Sequence, residues 1–194
     1  MTLAEKKEPY HSRLVEYRSE GGAPVSPTEE KRDKHFPLFA HDNIIRRLLD
    51  PPQSLVERYV SEGQVVADLG CGPGYYAIPL AESVGPKGKV YAVDSDEKAI
   101  RAVEKKSKKR GYDNIETHTA SAFDLSFIRD GAVDFVLALG LLCSMAPQQR
   151  ESAANEMRRI LEPGGLAHLS VAKGLWSYVD RRAGEKILEC FKVE

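Results

Sequence analysis

Cysteine, tryptophan and methionine are all scarce in this chain, at three, one and three of 194 residues. Three cysteines, an odd number without metal-site spacing, exclude a disulfide framework and point to a reducing compartment. No apolar run is long enough to span a bilayer, and no charged-then-apolar leader of the secretory kind opens the chain. A surplus of charge is missing too. With 28 Lys and Arg against 29 Asp and Glu, the formal net charge is -1, so neither nucleic acid nor a membrane is expected as a partner. The expectation is a soluble cytoplasmic protein. At 42% hydrophobic and 29% charged, the chain can build one full core plus an accessory segment.

Glycine is present where it can do most. Residues 65–77 read VVADLGCGPGYYA: an apolar run ending in Asp68, then Gly70, Gly72 and Gly74, then a stretch that can be helical. That pattern is strand, tight turn and helix. Glycine lets the backbone turn sharply and lets a ligand's polar groups lie against main-chain amides at a helix N-terminus. The dinucleotide fingerprint G-x-G-x-x-G would put its third glycine at Tyr75, so it does not apply. A second apolar run, residues 89–94, ends in Asp94 at the βαβ spacing that sets two parallel strand ends side by side. A carboxylate there can accept both hydroxyls of a ribose. Capping of the next helix is expected from Ser95, with Asp96 and Glu97 in its first turn.

The stretch from Asp68 to Gly74 resembles motif I, D-x-G-x-G-x-G, of the class I S-adenosylmethionine-dependent methyltransferases. The resemblance runs over roughly residues 63–193. It also takes in Asp94, the apolar run 131–142 and the Pro163-Gly164-Gly165 turn. It implies an α/β, doubly wound, mostly parallel Rossmann-like sheet of strand order 3-2-1-4-5, with an incomplete strand 6/7 region. The implied cofactor is S-adenosylmethionine. Its implied contacts are Asp68, Gly70, Cys71, Gly72, Gly74, Asp94, Ser95, Ser121, Ala122, Phe123, Leu139 and Gly140. Ser121 stands where relatives carry the Asp that accepts the adenine amino group, so the amides of Ala122 or Phe123 are expected to help. For Phe123, stacking on adenine and core packing stay equally open. Leu139 and Gly140 are expected under the methionine part, facing the acceptor. Residues 142–145, Leu-Cys-Ser-Met, offer no strong general base, so no catalytic residue and no metal ligand is assigned. An arsenic-methylating relative would need several paired thiols, and only Cys143 is placed for that.

Three segments are expected. Residues 1–34 form a polar, mobile arm, with a short helix around Leu14, Val15 and Tyr17 ahead of a Gly-Pro interruption; a lid using Tyr10, His11 or Tyr17 is the sharper alternative. Residues 35–62 form a helical cap of two amphipathic runs parted by Asp50-Pro51-Pro52, with His35 and His41 near its start as packing residues. Residues 63–194 form the S-adenosylmethionine-binding domain, with helices over 75–82, after Asp94 to a stop at Gly111, and over 148–161. Strands are expected over 114–120 and 166–172. Lys105, Lys106, Lys108, Lys109 and Arg110 are read as a solvated face suited to a helix C-terminus, ahead of a grip on nucleic acid. Trp176 and Tyr178 would stand at the exit of the fifth strand. A last helix over 178–190 would then lead into a sixth strand at the chain's end, leaving a sheet edge open to self-association as a homo-oligomer. The expected activity is in-line methyl transfer to a small-molecule acceptor. The alternatives are an RNA or protein methyltransferase and a non-catalytic cofactor-binding module.

Overall fold

The computed structural model describes residues 12–18, 52–142 and 144–172. In chain order the elements are β1 (Ser12–Arg18), α1 (Pro52–Tyr59), β2 (Val65–Leu69), α2 (Ala77–Val84) and β3 (Lys89–Asp94), then α3 (Glu97–Arg110), β4 (Ile115–Thr119), β5 (Val133–Leu139), α4 (Pro147–Ile160) and β6 (Leu161–Ala172). One sheet holds all six strands in the order β1-β6-β5-β2-β3-β4. The five strands from β2 onward are parallel and take the expected order 3-2-1-4-5.

The apolar strands are buried on both sides because alternate residues serve opposite layers. Val66, Val90, Phe135 and Leu137 pack with α1 and α2, through Val56, Leu80, Ala81 and Val84. Ala67, Leu69, Val93, Val136 and Ala138 face the other way, onto Ala153, Ala154, Met157 and Ile160 of α4. Ala92, between these on β3, meets Ile100 and Val103 of α3. That helix ends as its sequence predicts, on Gly111 at φ 71° with its N–H bonded back to Ser107 and Lys108 carbonyls. No helix joins β4 to β5; residues 120–132 cross over as turns. Phe127 in this connector stacks on His118 at 3.7 Å and shields the sheet there.

Two expectations are corrected at the far edge. Leu14, Val15 and Tyr17 are strand, not helix: β1 runs antiparallel to β6 from Ser12 opposite Ala172 to Arg18 opposite Leu166. A seven-residue piece earns too few internal hydrogen bonds to hold a helix, whereas an open strand beside it supplies partners for its backbone. The fifth parallel strand, β6, is therefore no open edge, since β1 covers it. β6 also begins earlier than expected. Val133 pairs with Leu161 and Phe135 with Leu166, so two steps along β5 match five along β6, and Glu162-Pro163-Gly164 bulges out to solvent. Tyr10, His11, His35, His41, the first amphipathic run, Cys143, Trp176, Tyr178, and the expected last helix and sixth strand lie outside the described residues, as does the rest of the N-terminal arm.

Candidate active site

The glycine turn after β2 holds three residues in the left-handed region, Gly70, Gly72 and Gly74, at φ 72°, 51° and 83°. An L side chain there would be strained. Space is tight as well: a Cβ on Gly70 would come within 3.0 Å of Leu141 Cδ1, and one on Gly74 within 3.1 Å of Val103 Cγ2, so either side chain would have to shift. The first contact joins the loops that end β2 and β5. The turn's own amides are mostly occupied. Gly70 and Cys71 donate to the Val93 carbonyl at 2.8 and 3.0 Å, and Gly74 donates to Cys71 at 3.1 Å. The glycines thus serve turning and close approach more than they offer free donors.

Asp94 closes the corner. Its Oδ2 accepts from the Gly72 amide at 2.8 Å and its Oδ1 from the Asp96 amide at 2.9 Å. A carboxylate has about four lone-pair sites, so about two remain for a ligand's hydroxyls. Asp94 is half-buried, within reach of solvent. Capping of α3 falls to Asp96, whose side chain accepts from the Lys98 amide at 2.9 Å, and not to the exposed Ser95. One residue further on, the Asp side chain reaches the second helical amide while Asp94 holds the turn before it.

β4 delivers the next group. The Ala120 amide donates to the Asp94 carbonyl at 3.0 Å, which sets Ser121, Ala122 and Phe123 beside the Asp94 corner. Ala122 is buried; Phe123 packs against the cluster around Leu125 and Ile128 and lines a cleft with Asp124, Ser126, Glu156 and Arg159, which favours packing over stacking for its ring. At the end of β5, Leu139 is half-buried and Gly140 exposed at φ 71°, with nothing within 4 Å of where a Cβ would stand. The main chain is accessible there. Asp68, at only 3% exposure, lies under the turn rather than on its surface.

Burial pushes the Cys71 thiol well up, and the Asp68 and Asp94 carboxylates push it further, so it is no thiolate nucleophile. Among the described residues no cluster of His, Cys, Asp and Glu could hold a metal ion. Of the described histidines, His118 bonds Glu116 at 2.7 Å and His168 is buried against Tyr59. Neither lies in the loops that end β2, β3 and β5. One contact was invisible in the sequence: Lys106 Nζ donates to the Pro73 carbonyl inside the glycine turn at 2.6 Å. That part of the basic face is an anchor, and a sequence separation of 33 residues hides it. Two cavities among the described residues flank the corner instead of covering it, one of about 370 Å³ among Pro52, Tyr75, Pro79, Lys106 and Arg110, the other the cleft at Phe123. The strand order reverses between β2 and β5, the switch point at which sheets of this kind bind ligands.

Comparison with known proteins agrees with this geometry. Residues 66–165 match the family described as a methyltransferase domain. The chain is 33% identical over 138 residues to a demethylmenaquinone methyltransferase of Geobacillus kaustophilus, covering 71% of this chain and 58% of that protein. It spans about half the length of the curated relatives it matches. Among solved structures it resembles an S-adenosylmethionine-dependent methyltransferase from Aquifex aeolicus at TM-score 0.62 and 26% identity, over 68% of this chain and 69% of that one. It also resembles a putative rRNA-methylase from Clostridium thermocellum at TM-score 0.61 and 26% identity, over 73% and 77%. With a doubly wound sheet, a glycine turn after its first parallel strand and half its length matched, the chain belongs to the family of class I methyltransferase domains.

Proposed function

We propose that this chain binds S-adenosylmethionine and transfers its methyl group to a small-molecule acceptor. The observation that carries the reading is the Asp94 carboxylate bonded to the Gly72 amide, which locks an acid with spare acceptor capacity against the glycine turn. The residues fit such a cofactor. Asp94 accepts ribose hydroxyls, the turn from Gly70 to Gly74 allows close approach of the tail, and the main chain at Ala122 and Phe123, with the Ser121 hydroxyl, faces the base. Cys71 and Ser95 flank this corner, and the Asp68 and Asp94 carboxylates give it a negative potential that suits a cationic ligand. Leu139 and Gly140 leave room where the acceptor would approach. When bound, S-adenosylmethionine supplies a methyl group already activated on a sulfonium. The protein then needs mainly to align donor and acceptor and to keep water out, so the lack of an assigned base is tolerable.

The small-molecule acceptor is supported by the relatives named demethylmenaquinone methyltransferases, and a quinone-type aromatic is the class to try first. An RNA acceptor is favoured by one observation, the exposed cations Lys105, Lys108, Lys109 and Arg110 at the end of α3. The test is a melt of the full chain with millimolar S-adenosylmethionine, S-adenosylhomocysteine or NAD, followed by transfer of labelled methyl. At a hundredfold excess over Kd, linkage gives about 2.7 kcal/mol, a rise of about 5–10 °C for this size. Stabilisation by NAD and not by S-adenosylmethionine would refute the cofactor. Label reaching RNA would favour the second reading, and a shift with no transfer to any pool would favour a non-catalytic module.

A further inference from the structure

The connector between β4 and β5 carries the proposed base contacts, yet no helix organises it, so its backbone groups must find partners elsewhere. At its start the Ala120 amide is bonded to the Asp94 carbonyl, and the Asp124 amide folds back onto the Ser121 carbonyl at 2.9 Å. Its far side is held from α4. Glu156 Oε2 accepts from the Leu125 amide at 2.8 Å. Arg159 Nη2 donates to the Leu125 carbonyl at 2.8 Å and to Glu156 Oε2 at 2.9 Å. Arg159 Nη1 donates to the Ile128 carbonyl at 2.8 Å and to Asp130 Oδ1 at 2.6 Å. Arg159 Nε donates to Glu156 Oε1 at 2.7 Å. These five bonds use all five donors of a guanidinium, a fork that lysine cannot reproduce. The cleft beside Phe123 is lined by Asp124, Ser126, Glu156 and Arg159, so the pair also walls that side of the segment.

Resting on the cofactor reading above, we infer that Glu156 and Arg159 are positioning residues that set where Ser121, Ala122 and Phe123 meet the nucleobase, and thereby the preference for a base bearing an exocyclic amino group. Two separate features divide the labour. Leu125 and Ile128, both fully buried, keep the connector attached to the core. The polar pair fixes its main-chain register. A variant of the pair therefore keeps its fold but displaces the amides and the hydroxyl that read the base. Rejection of a ligand lacking the correct hydrogen-bonding edge depends on that placement.

The test measures affinity of the full chain by calorimetry for S-adenosylhomocysteine and for S-inosylhomocysteine, in which a carbonyl replaces the amino group. The parent is expected to prefer the adenosine ligand by about tenfold or more, the worth of one well-placed hydrogen bond. In Arg159→Lys the preference should fall to about threefold or less, with the affinity for the adenosine ligand reduced. Glu156→Gln, which keeps an acceptor for the Leu125 amide, should fall between and guards against poor folding of the first variant. A merely structural pair would leave the ratio between the two ligands intact whatever the variants do to melting, and that result overturns the inference alone. A parent that binds both ligands without preference also overturns it. A parent that binds neither overturns the cofactor reading and this inference together.

Discussion

One carboxylate, that of Asp94, orders the turn before it and keeps acceptor sites for a ligand, so its replacement has two separable effects. Asp94→Ala removes both and should weaken S-adenosylhomocysteine binding by about 2–3 kcal/mol, the cost of a charge-assisted pair of bonds. It should also release the Gly72 amide, so some loss of melting temperature is expected as well. Titration calorimetry beside a melt separates the two, and unchanged affinity would remove Asp94 from the site. The glycines make a second comparison. At Gly140 a methyl meets open space and carries only the left-handed strain, about 1–2 kcal/mol. At Gly70 the same strain is joined by a 3.0 Å approach to Leu141, whose side chain must give way. Gly88, outside the site, is tighter than either: a Cβ there would stand 2.5 Å from Val84 Cβ and 2.6 Å from the Gln64 carbonyl oxygen. Urea melts should rank Gly88→Ala as most destabilising, then Gly70→Ala, then Gly140→Ala.

At the scale of elements, helices α3 and α4 do more than cover the sheet. Lys106 ties the end of α3 to the glycine turn through Pro73. Lys106→Met keeps the aliphatic stem, so it should leave melting nearly unchanged while lowering affinity for S-adenosylhomocysteine several-fold. A larger loss in melting than in affinity would make Lys106 a packing residue only. On α4, the Arg159 hydrogen bond, aided by the Leu125 amide and opposed by burial, holds the Glu156 carboxyl below its usual 4.5. A carboxyl depressed on folding adds stability that is fully present above its unfolded value and is lost as pH falls through the folded one. Stability should therefore decline below about pH 4.5, and Glu156→Gln should flatten part of that decline in melts between pH 7 and 3. The rest belongs to groups such as Glu116, held down by Lys89 and then by His118 against burial. What the sequence showed of these elements was local. The glycine turn, Asp94 at a strand end and the Gly111 stop were legible because each is written in a few consecutive residues, whereas the order of the parallel strands was available only as what the family resemblance implies. The Lys106 anchor, the Arg159 staple and strand β1 were not legible, because their partners, Glu156 apart, lie 29 or more residues away and no local period records them. Nor could spacing alone tell Asp96 from Ser95 as the cap, since both residue types suit that position.

At the scale of the whole molecule, the order β1-β6-β5-β2-β3-β4 puts the reversal of winding between β5 and β2. β1 is separated from β2 by two strands, β6 and β5, and touches none of the site residues' strands except through β6. Its service is to the edge: seven residue pairs, Ser12 with Ala172 through Arg18 with Leu166, satisfy backbone groups of β6 that would otherwise face outward. A chain lacking residues 1–18 should keep its affinity for S-adenosylhomocysteine, because β2, β3 and the glycine turn are untouched. It should lose stability, and a loss of about 3 kcal/mol would lower the melting temperature by about 6–12 °C at this size. The exposed edge should also pair with copies of itself, giving light scattering that grows with concentration. If the shortened chain melted with the parent and stayed monomeric, the β1 pairing would contribute nothing to the folded state. If it lost ligand binding without losing stability, the strand would act on the site in a way its place in the sheet does not explain.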